Sequence, residues 1–336
     1  MLNRRLVAFR VPKGPYKCAL AEGSATTRFG ASKLQEGHTM AHSHVLLGAG
    51  EHPAHLTIRR IGIADLKDAL RKGTDDFVAM PTHALFLGAI YPVVGLLLAR
   101  LAFGYSVLPL LYPLAAGFAL IGPLAALGLY ELSRRREAGL DASAAHALDV
   151  VKSSSLSAIV AIGLLLLLLF GLWMMAANAI YVTIFGYAAP SSVGGFVEDV
   201  FTTEAGWRMI VVGNIVGFGF AVLALVISVM SFPLLLDRDV GAAVALGTSI
   251  RVVIDNPVTM AAWGLIVAAL LLIGSLPFFL GLAVVVPILG HATWHLYRST
   301  VDTGDSPRPI QHDEPPREGR YAADFPAVLF PWFRNK

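Results

Sequence analysis

Several stretches of more than 20 residues contain no Asp, Glu, Lys or Arg, and four long ones constrain the fold of this chain more than any other feature. They cover residues 107–130, 156–181, 209–236 and 258–297. A helix needs about 20 predominantly apolar residues to cross a bilayer. Because lipid offers no hydrogen bonds to the backbone, continuous apolar runs of this length form helices there. The chain is therefore predicted to be an all-α integral membrane protein.

The number of spans follows from the lengths of the apolar stretches. Residues 84–103 add a fifth stretch, interrupted only by Arg100, which lies close enough to its end to reach the interface. The stretch 258–297 is about twice the length that one span needs. Gly274 and Pro277 lie at its middle and predict a tight turn. Six transmembrane helices are therefore expected.

Composition excludes several classes of protein. The chain is 56% hydrophobic and 15% charged, far from the average for a water-soluble domain. Its net charge of +3 is too small to indicate a nucleic-acid-binding protein. The single cysteine, Cys18, excludes an intrachain disulfide, a redox pair and a cysteine zinc cluster.

The positions of the basic residues predict the orientation in the membrane. Lys and Arg cluster on one side of the expected spans, and this side is normally cytoplasmic. The basic residues on that side are Arg59, Arg60, Lys67, Arg71, Lys72, Arg134, Arg135, Arg136, Lys152, Arg238, Arg251, Arg298 and Arg308. We expect a multi-pass protein of the bacterial inner (cytoplasmic) membrane with both termini in the cytoplasm.

An internal repeat organises the spans. Residues 61–136, 141–238 and 239–298 each read as a cytoplasmic amphipathic helix at the membrane interface followed by a transmembrane hairpin. The apolar faces are Ile63, Leu66, Ala69, Leu70, Gly73 and Phe77 in the first copy and Val240, Ala243, Gly247, Ile250 and Ile254 in the third. The middle copy, 143–153, is weaker. The alternative is that any apolar hairpin with basic flanks resembles any other.

Prolines mark the second span of each repeat. Pro123, Pro233 and Pro287 lie at membrane depth and should kink their helices.

Three regions follow from the whole pattern. Residues 1–57 are a disordered or over-extended N-terminal segment, for which Met40 is a second plausible start, 58–300 form the six-helix domain, and 301–336 are a cytoplasmic tail.

Polar residues at membrane depth are the candidate functional residues. His291 and His295 lie four residues apart, on one helical face, and His83 lies near the same boundary. These three could ligate a metal or a haem iron. The alternative is that His291 hydrogen-bonds within the bundle and His295 reaches the headgroup region. Asn178 and Asn214 complete the set.

Charge pairs and small residues suggest contacts rather than chemistry. Glu131 with Arg134, and the run from Asp237 to Asp239, lie at expected helix ends and indicate interface ion pairs or, alternatively, a gate. Gly213 and Gly217 form a GxxxG pattern, and Gly88 and Gly95 lie on a related face. Such spacing permits close helix packing within or between subunits.

Catalytic motifs are missing from the sequence. The chain has no phosphate-binding GxxxxGK[ST], no GxSxG and no HExxH. We therefore expect no enzyme activity and assign no catalytic or cofactor-binding residue.

Three segments carry a resemblance to a known family. They read IGIADLKDALRKGTDDFVAMPTHALFLGAIYPVVG, LGLYELSRRREAG and PILGHATWHLYR. Over residues 58–298 the chain resembles the bacterial integral membrane family called domain of unknown function 2189. The family has no assigned activity, although some members are labelled as cytochrome c oxidase proteins. A haem-copper catalytic subunit needs about six histidine ligands, so the resemblance implies at most an accessory role.

Three functions compete at this point. The first is a non-catalytic accessory, assembly or scaffold subunit of an inner-membrane complex, such as a respiratory complex. The second is a transporter for a small apolar solute or a lipid, for which internal repeats and membrane prolines argue. The third is a redox protein that binds metal or haem through His291 and His295. The expected partners are membrane lipids and other membrane subunits, with no nucleic acid.

Overall fold

The computed structural model describes residues 56–80, 108–118, 120, 122–187, 190, 192–277, 279–304 and 308. These residues belong to one compact unit, Ala41–Lys336. The predicted span 84–103, His83 and most of both predicted tails lie outside the described residues.

The described part is mostly helical, as predicted. The helices are α1 (Ile63–Ala79), α2 (Leu111–Phe118), α3 (Gly122–Ala125), α4 (Leu127–Glu137), α5 (Leu156–Phe185), α6 (Val193–Thr202), α7 (Glu204–Ser228), α8 (Ser231–Asp237), α9 (Gly241–Asp255), α10 (Pro257–Ser275) and α11 (Leu282–Thr300). Short 3₁₀ helices cover Leu108–Leu110 and Ala144–Lys152, and strands β1 (Thr57–Ile58) and β2 (Val301–Asp302) pair with each other.

Three helical segments of the described part are long and apolar enough to cross a membrane. They are α5, with a mean hydropathy of 2.7, α7 together with α8, with 2.6, and α10, with 2.1. They coincide with the predicted spans 156–181 and 209–236 and with the first half of 258–297. The helix break between Ser275 and Leu282 falls where the turn was predicted.

The predicted span 107–130 differs from the single helix that was expected. The segment is divided among a 3₁₀ turn, α2, α3 and the first part of α4. Pro109, Pro113 and Pro123 explain the division, because proline lacks the backbone N–H that continues a helix and its ring crowds the preceding turn. Helix α4 continues beyond Tyr130 and carries the charged residues to Glu137.

Helix α1 packs on α11 instead of presenting its apolar face to the membrane surface. Leu66 and Ala69, both predicted on that face, are 1% and 2% exposed. The two helices touch at Gly73, where an added Cβ would lie 2.5 Å from the backbone nitrogen of Ala292. The small residue at this position therefore sets the separation between the helices.

Helix α9 buries the face opposite to the predicted one. Ala245 and Val252 are fully buried, whereas the predicted apolar residues Ile250 and Ile254 are 36% and 68% exposed. The first helices of the first and third predicted repeats, α1 and α9, therefore pack differently. Within α9 the predicted apolar residues Ile250 and Ile254 face outward, whereas Val240, just before the helix, is buried.

The junction between α7 and α8 is filled by a side chain from α9. In a continuous helix the N–H of Met230 would donate to the carbonyl of Val226. Here Met230 N donates to Ser249 Oγ over 3.2 Å, and Ser249 Oγ donates to Val226 O over 2.7 Å. Pro233, predicted to kink this helix, accounts for the break, because its ring crowds the carbonyl four residues earlier. Ser249 satisfies both groups that the break leaves unpaired.

Trp173 of α5 contacts both α2 and α7 and so joins three helices. Its ring lies against Gly117 of α2 on one side and Gly217 of α7 on the other, where added Cβ atoms would lie 2.7 Å and 2.9 Å from ring atoms. Its Nε1 donates to Pro113 O over 2.8 Å. Gly217, part of the predicted GxxxG pattern, is thus used inside the chain.

Strands β1 and β2 bring together the two ends of the helical domain. Thr57 pairs with Asp302 and Ile58 with Val301. The side chain of Arg59 also forms a 2.7 Å ion pair with Asp302. Both ends of this domain therefore lie on the same side of the helices.

Candidate functional site

An aspartate lies on the buried face of α1. Leu66, Ala69, Gly73 and Asp76 are the buried residues of this helix, and their spacing of three or four places all of them on one side. Asp76 is 4% exposed, although it carries a charge. Buried charges are tolerated only when they are paired and hydrogen-bonded. Its partners therefore decide whether the helix can dock.

The carboxylate of Asp76 is held by two other helices. Ser133 Oγ of α4 donates to Asp76 Oδ2 over 2.5 Å, and His295 Nε2 of α11 lies 2.9 Å from the same oxygen. The guanidinium of Arg136, also from α4, forms an ion pair with Asp76 Oδ1. One carboxylate thus joins α1, α4 and α11.

The network continues from Ser133 to His291. Ser133 Oγ lies 2.7 Å from His291 Nδ1, and both residues are almost fully buried. An ionised carboxylate can only accept hydrogen bonds, so the single O–H of Ser133 donates its hydrogen bond to Asp76. Ser133 Oγ must then accept a hydrogen bond from Nδ1–H of His291. The network therefore assigns the tautomer of His291 that carries its proton on Nδ1. We call Asp76, Ser133, Arg136, His291 and His295 the Asp76 cluster.

The hydrogen bonds keep Asp76 ionised. Burial by itself would raise the pKa of Asp76, but the hydrogen bonds from His295 and Ser133 outweigh this effect, and the pKa lies below the ordinary value for aspartate. With so little of the carboxylate exposed, the arrangement is suited to joining helices rather than to contacting a substrate.

A second polar group lies further along α4 and α11. Trp294 Nε1 donates to Glu137 Oε2 over 2.9 Å, and Arg298 Nε donates to Glu137 Oε1 over 3.0 Å. Tyr297 O–H donates to Asp237 Oδ2 of α8 over 2.8 Å. Asp237, predicted as an interface charge, is therefore a buried acceptor that joins α8 to α11.

The predicted pair of Glu131 and Arg134 is present. Arg134 donates through Nε and Nη2 to the two oxygens of Glu131 over 2.8 Å and 2.9 Å. Glu131 is fully buried, and Arg135 lies 3.8 Å from it. Asp239, the other predicted interface charge, accepts a 2.9 Å hydrogen bond from Ser154. These contacts add to the polar network at one end of the helices.

The structure brings two of the three predicted metal ligands into one cluster. His291 and His295 both belong to it, and His83 lies outside the described residues. The described residues contain no group of three or more His, Cys, Asp or Glu with the geometry to hold a metal ion. Ligation by His83, His291 and His295 stays a prediction. Metal analysis and a Soret spectrum of the purified protein, beside the His291→Ala/His295→Ala variant, would decide it.

The remaining predicted polar residues lie at the surface of the spans. Asn214 Oδ1 accepts a 2.9 Å hydrogen bond from Tyr112, and its Nδ2 donates to Ile210 O over 2.8 Å. Asn178 is exposed on α5. Around Gly213, the outer residue of the GxxxG pattern, an added Cβ would meet nothing within 4 Å.

Sequence reasoning missed Asp76, Ser133 and Arg136. A signal for Asp76 was present, because it continues the spacing of Leu66, Ala69 and Gly73. A charged residue in phase with an apolar face predicts a buried polar contact. Ser133 and Arg136 carry no comparable signal, since a serine and an arginine at the end of a basic helix are equally compatible with a solvated surface.

Comparison with known families gives a match for the middle of the chain. Residues 110–237 match the model of domain of unknown function 2189 (DUF2189), described as a predicted integral membrane protein. This segment is similar to the DUF2189 family. The DUF2189 segment begins just before α2 and ends with α8, so it contains Ser133 and Arg136 and not Asp76 or the two histidines. The resemblance is confirmed for this part of the chain.

Comparisons with curated proteins and with solved structures give no match.

Proposed function

We propose that this protein is a non-catalytic multi-pass subunit of an inner-membrane complex, with an accessory, assembly or scaffold role. A respiratory complex is one candidate. The observation that carries the proposal is the unburied surface of α7. Only 6% of an 18-residue apolar stretch in the segment Glu204–Asp237, which contains α7, is buried, against 39% of the corresponding stretch in α5. Such a helix contributes little to its own bundle and has a large face for lipid or for the helix of a partner.

The organisation of the spans belongs to the same proposal. Because β1 and β2 pair, the chain between Ile58 and Val301 must cross the membrane an even number of times. The described part supplies three membrane-length helices, an odd number. If each of the three crosses the membrane once, at least one more crossing is needed, and α11 with the segments 84–103 and 107–130 would complete six spans in three hairpins.

The proposed orientation places the polar end of the helices in the cytoplasm. Arg134, Arg136 and Arg298 belong to the polar networks at this end. Basic residues favour the cytoplasmic side. Both termini would then be cytoplasmic. Fusion of a reporter that is active only in the periplasm, placed at either end, should remain inactive.

A crosslinking experiment tests the role of α7. A photoreactive residue at Phe218, which is 71% exposed on α7, should yield a discrete protein adduct in native membranes. The matched control is Leu265, 72% exposed on α10, which should yield lipid adducts only. Native electrophoresis after mild solubilisation should show the protein in a larger complex.

The subunit role is contradicted if the protein migrates alone and Phe218 yields no protein adduct. Flux of an apolar solute or lipid into reconstituted vesicles, above that of empty vesicles, would instead favour a transporter.

A further inference from the structure

A groove lies between α9 and the residues around β1. Its volume is about 260 Å³, and it is lined by Leu56, Ile58, Val244, Gly247, Thr248 and Arg251. Pockets for whole small molecules usually begin at about 300 Å³. The groove is therefore better matched to part of a ligand than to a complete metabolite. Four of its six lining residues are apolar or glycine, and the only charge among the six is that of Arg251.

Arg251 has no ion-pair partner among the residues that the structure describes. It is exposed, and Asp255, one turn further along α9, is exposed as well and does not pair with it. By contrast, Arg59, directly after β1, forms an ion pair with Asp302. An arginine without a carboxylate partner retains all five N–H donors for an anion, and its planar fork matches the oxygens of a phosphate.

An exposed apolar stripe runs beside this arginine. Ile250, Ile254 and Val258 are 36%, 68% and 77% exposed, and they lie at the end of α9 and in the first turn of α10. Helix α10 is one of the membrane-length helices. If α10 crosses the bilayer, the stripe lies where the chain enters it, and the groove with Arg251 lies at headgroup level. Amphipathic helices with this arrangement bind anionic membrane surfaces.

We propose that α9 and β1 form a binding site for an anionic phospholipid, with the headgroup phosphate on Arg251 and the acyl chains along Ile250, Ile254 and Val258. A soluble phosphate ester would use the arginine and leave the apolar stripe uncovered. A zwitterionic lipid would place its own cation near Arg251. The combination of charge and apolar surface fits a lipid with net negative charge, such as phosphatidylglycerol. The proposal rests on residence in a membrane and not on the subunit role.

The experiment uses the full chain in detergent micelles, with lipid binding followed by native mass spectrometry. Dioleoyl phosphatidylglycerol is compared with dioleoyl phosphatidylcholine, so that only the headgroup differs. We expect a preference for phosphatidylglycerol in the parent protein. One basic residue near a membrane surface corresponds to about fivefold in affinity. Arg251→Gln should lose about this factor and Arg251→Lys should retain most of it.

The matched control is Lys67→Gln, which removes one exposed positive charge from α1, outside the groove, and should keep the preference. Ile254→Ser should weaken binding of both lipids equally, because it shortens the apolar stripe. Equal binding of the two lipids by the parent, or an unchanged preference in Arg251→Gln, would overturn the proposal. Competition by glycerol phosphate that is as strong as competition by the lipid would also overturn the proposal. None of these outcomes depends on whether the protein has a partner subunit.

Discussion

Gly73 and Ala292 meet backbone to backbone, with no room for a side chain on the glycine. An added Cβ at Gly73 would lie 2.5 Å from Ala292 N and 2.8 Å from its Cα. Because the obstructing atoms are backbone atoms, they cannot move aside as the end of a flexible side chain can. The contact between α1 and α11 therefore depends on glycine at this position.

Gly73→Ala should destabilise the protein, although alanine favours helices. Overpacking of this kind costs about 1–3 kcal/mol. Unfolding in mixed detergent micelles by increasing fractions of SDS would measure the loss. Gly171→Ala in α5 is the control, because a Cβ there would meet nothing within 4 Å. It should be neutral or stabilising by up to about 1 kcal/mol. Equal stability of the two variants would contradict the close contact.

Asp76→Asn should destabilise the docking of α1. It removes the charge that pairs with Arg136 and one acceptor for Ser133 or His295. Because the Arg136 side chain is 40% exposed and can find water, we expect about 1–3 kcal/mol and not the full cost of a stranded buried charge.

Asp75→Asn is the matched control for Asp76. Its neighbour Asp75 is exposed and lies 3.7 Å from Arg71, a pair of the kind that contributes little. The control should stay within about 0.5 kcal/mol of the parent in the same SDS titration. Protease sensitivity of the segment before Met80 gives a second measurement, and it should rise in Asp76→Asn only.

The ionised state of Asp76 gives the stability a dependence on pH. Its pKa is lowered in the folded protein, so the unfolded chain binds the proton more readily. The contribution is complete above about pH 4, the ordinary range of an aspartate, and is lost as the pH falls through the folded pKa. Other aspartates with lowered pKa, such as Asp149, act in the same window.

The difference between the parent and Asp76→Asn isolates the effect of this one carboxylate. We expect the two free energies of unfolding to converge as the pH falls below about 4. A constant difference from pH 7 to pH 3 would show that Asp76 is not held in its ionised form.

Ser249→Ala should destabilise the junction of α7 and α8. The hydroxyl satisfies Met230 N and Val226 O, and both groups lose their partner in the variant. Unsatisfied buried backbone groups cost about 1–3 kcal/mol. The control is Ser228→Ala, whose hydroxyl is also buried but donates only to Ala224 O within its own helix. The control should lose clearly less stability in the SDS titration.

Much of the fold could be predicted from local pattern. The apolar stretches 156–181 and 209–236, and the division of 258–297 near Gly274, all correspond to helices and a turn in the structure. Lipid admits few solutions for a backbone, so length and composition suffice to recognise a helix there. The prediction of a single helix over 107–130 was wrong, because three prolines interrupt this segment and divide it into shorter helices.

The faces of the helices could not be predicted in the same way. The sequence predicts helices at α1 and α9 and an apolar face on each of them. Only the tertiary structure decides that α1 turns its apolar face to α11, while α9 turns its small and polar residues inward and leaves Ile254 outside. The physical reason is that apolar side chains are equally satisfied by lipid and by protein. What selects between them is close packing and hydrogen bonding, at Gly73 against Ala292 and at Asp76 against Ser133 and His295, and these contacts join residues far apart in the chain.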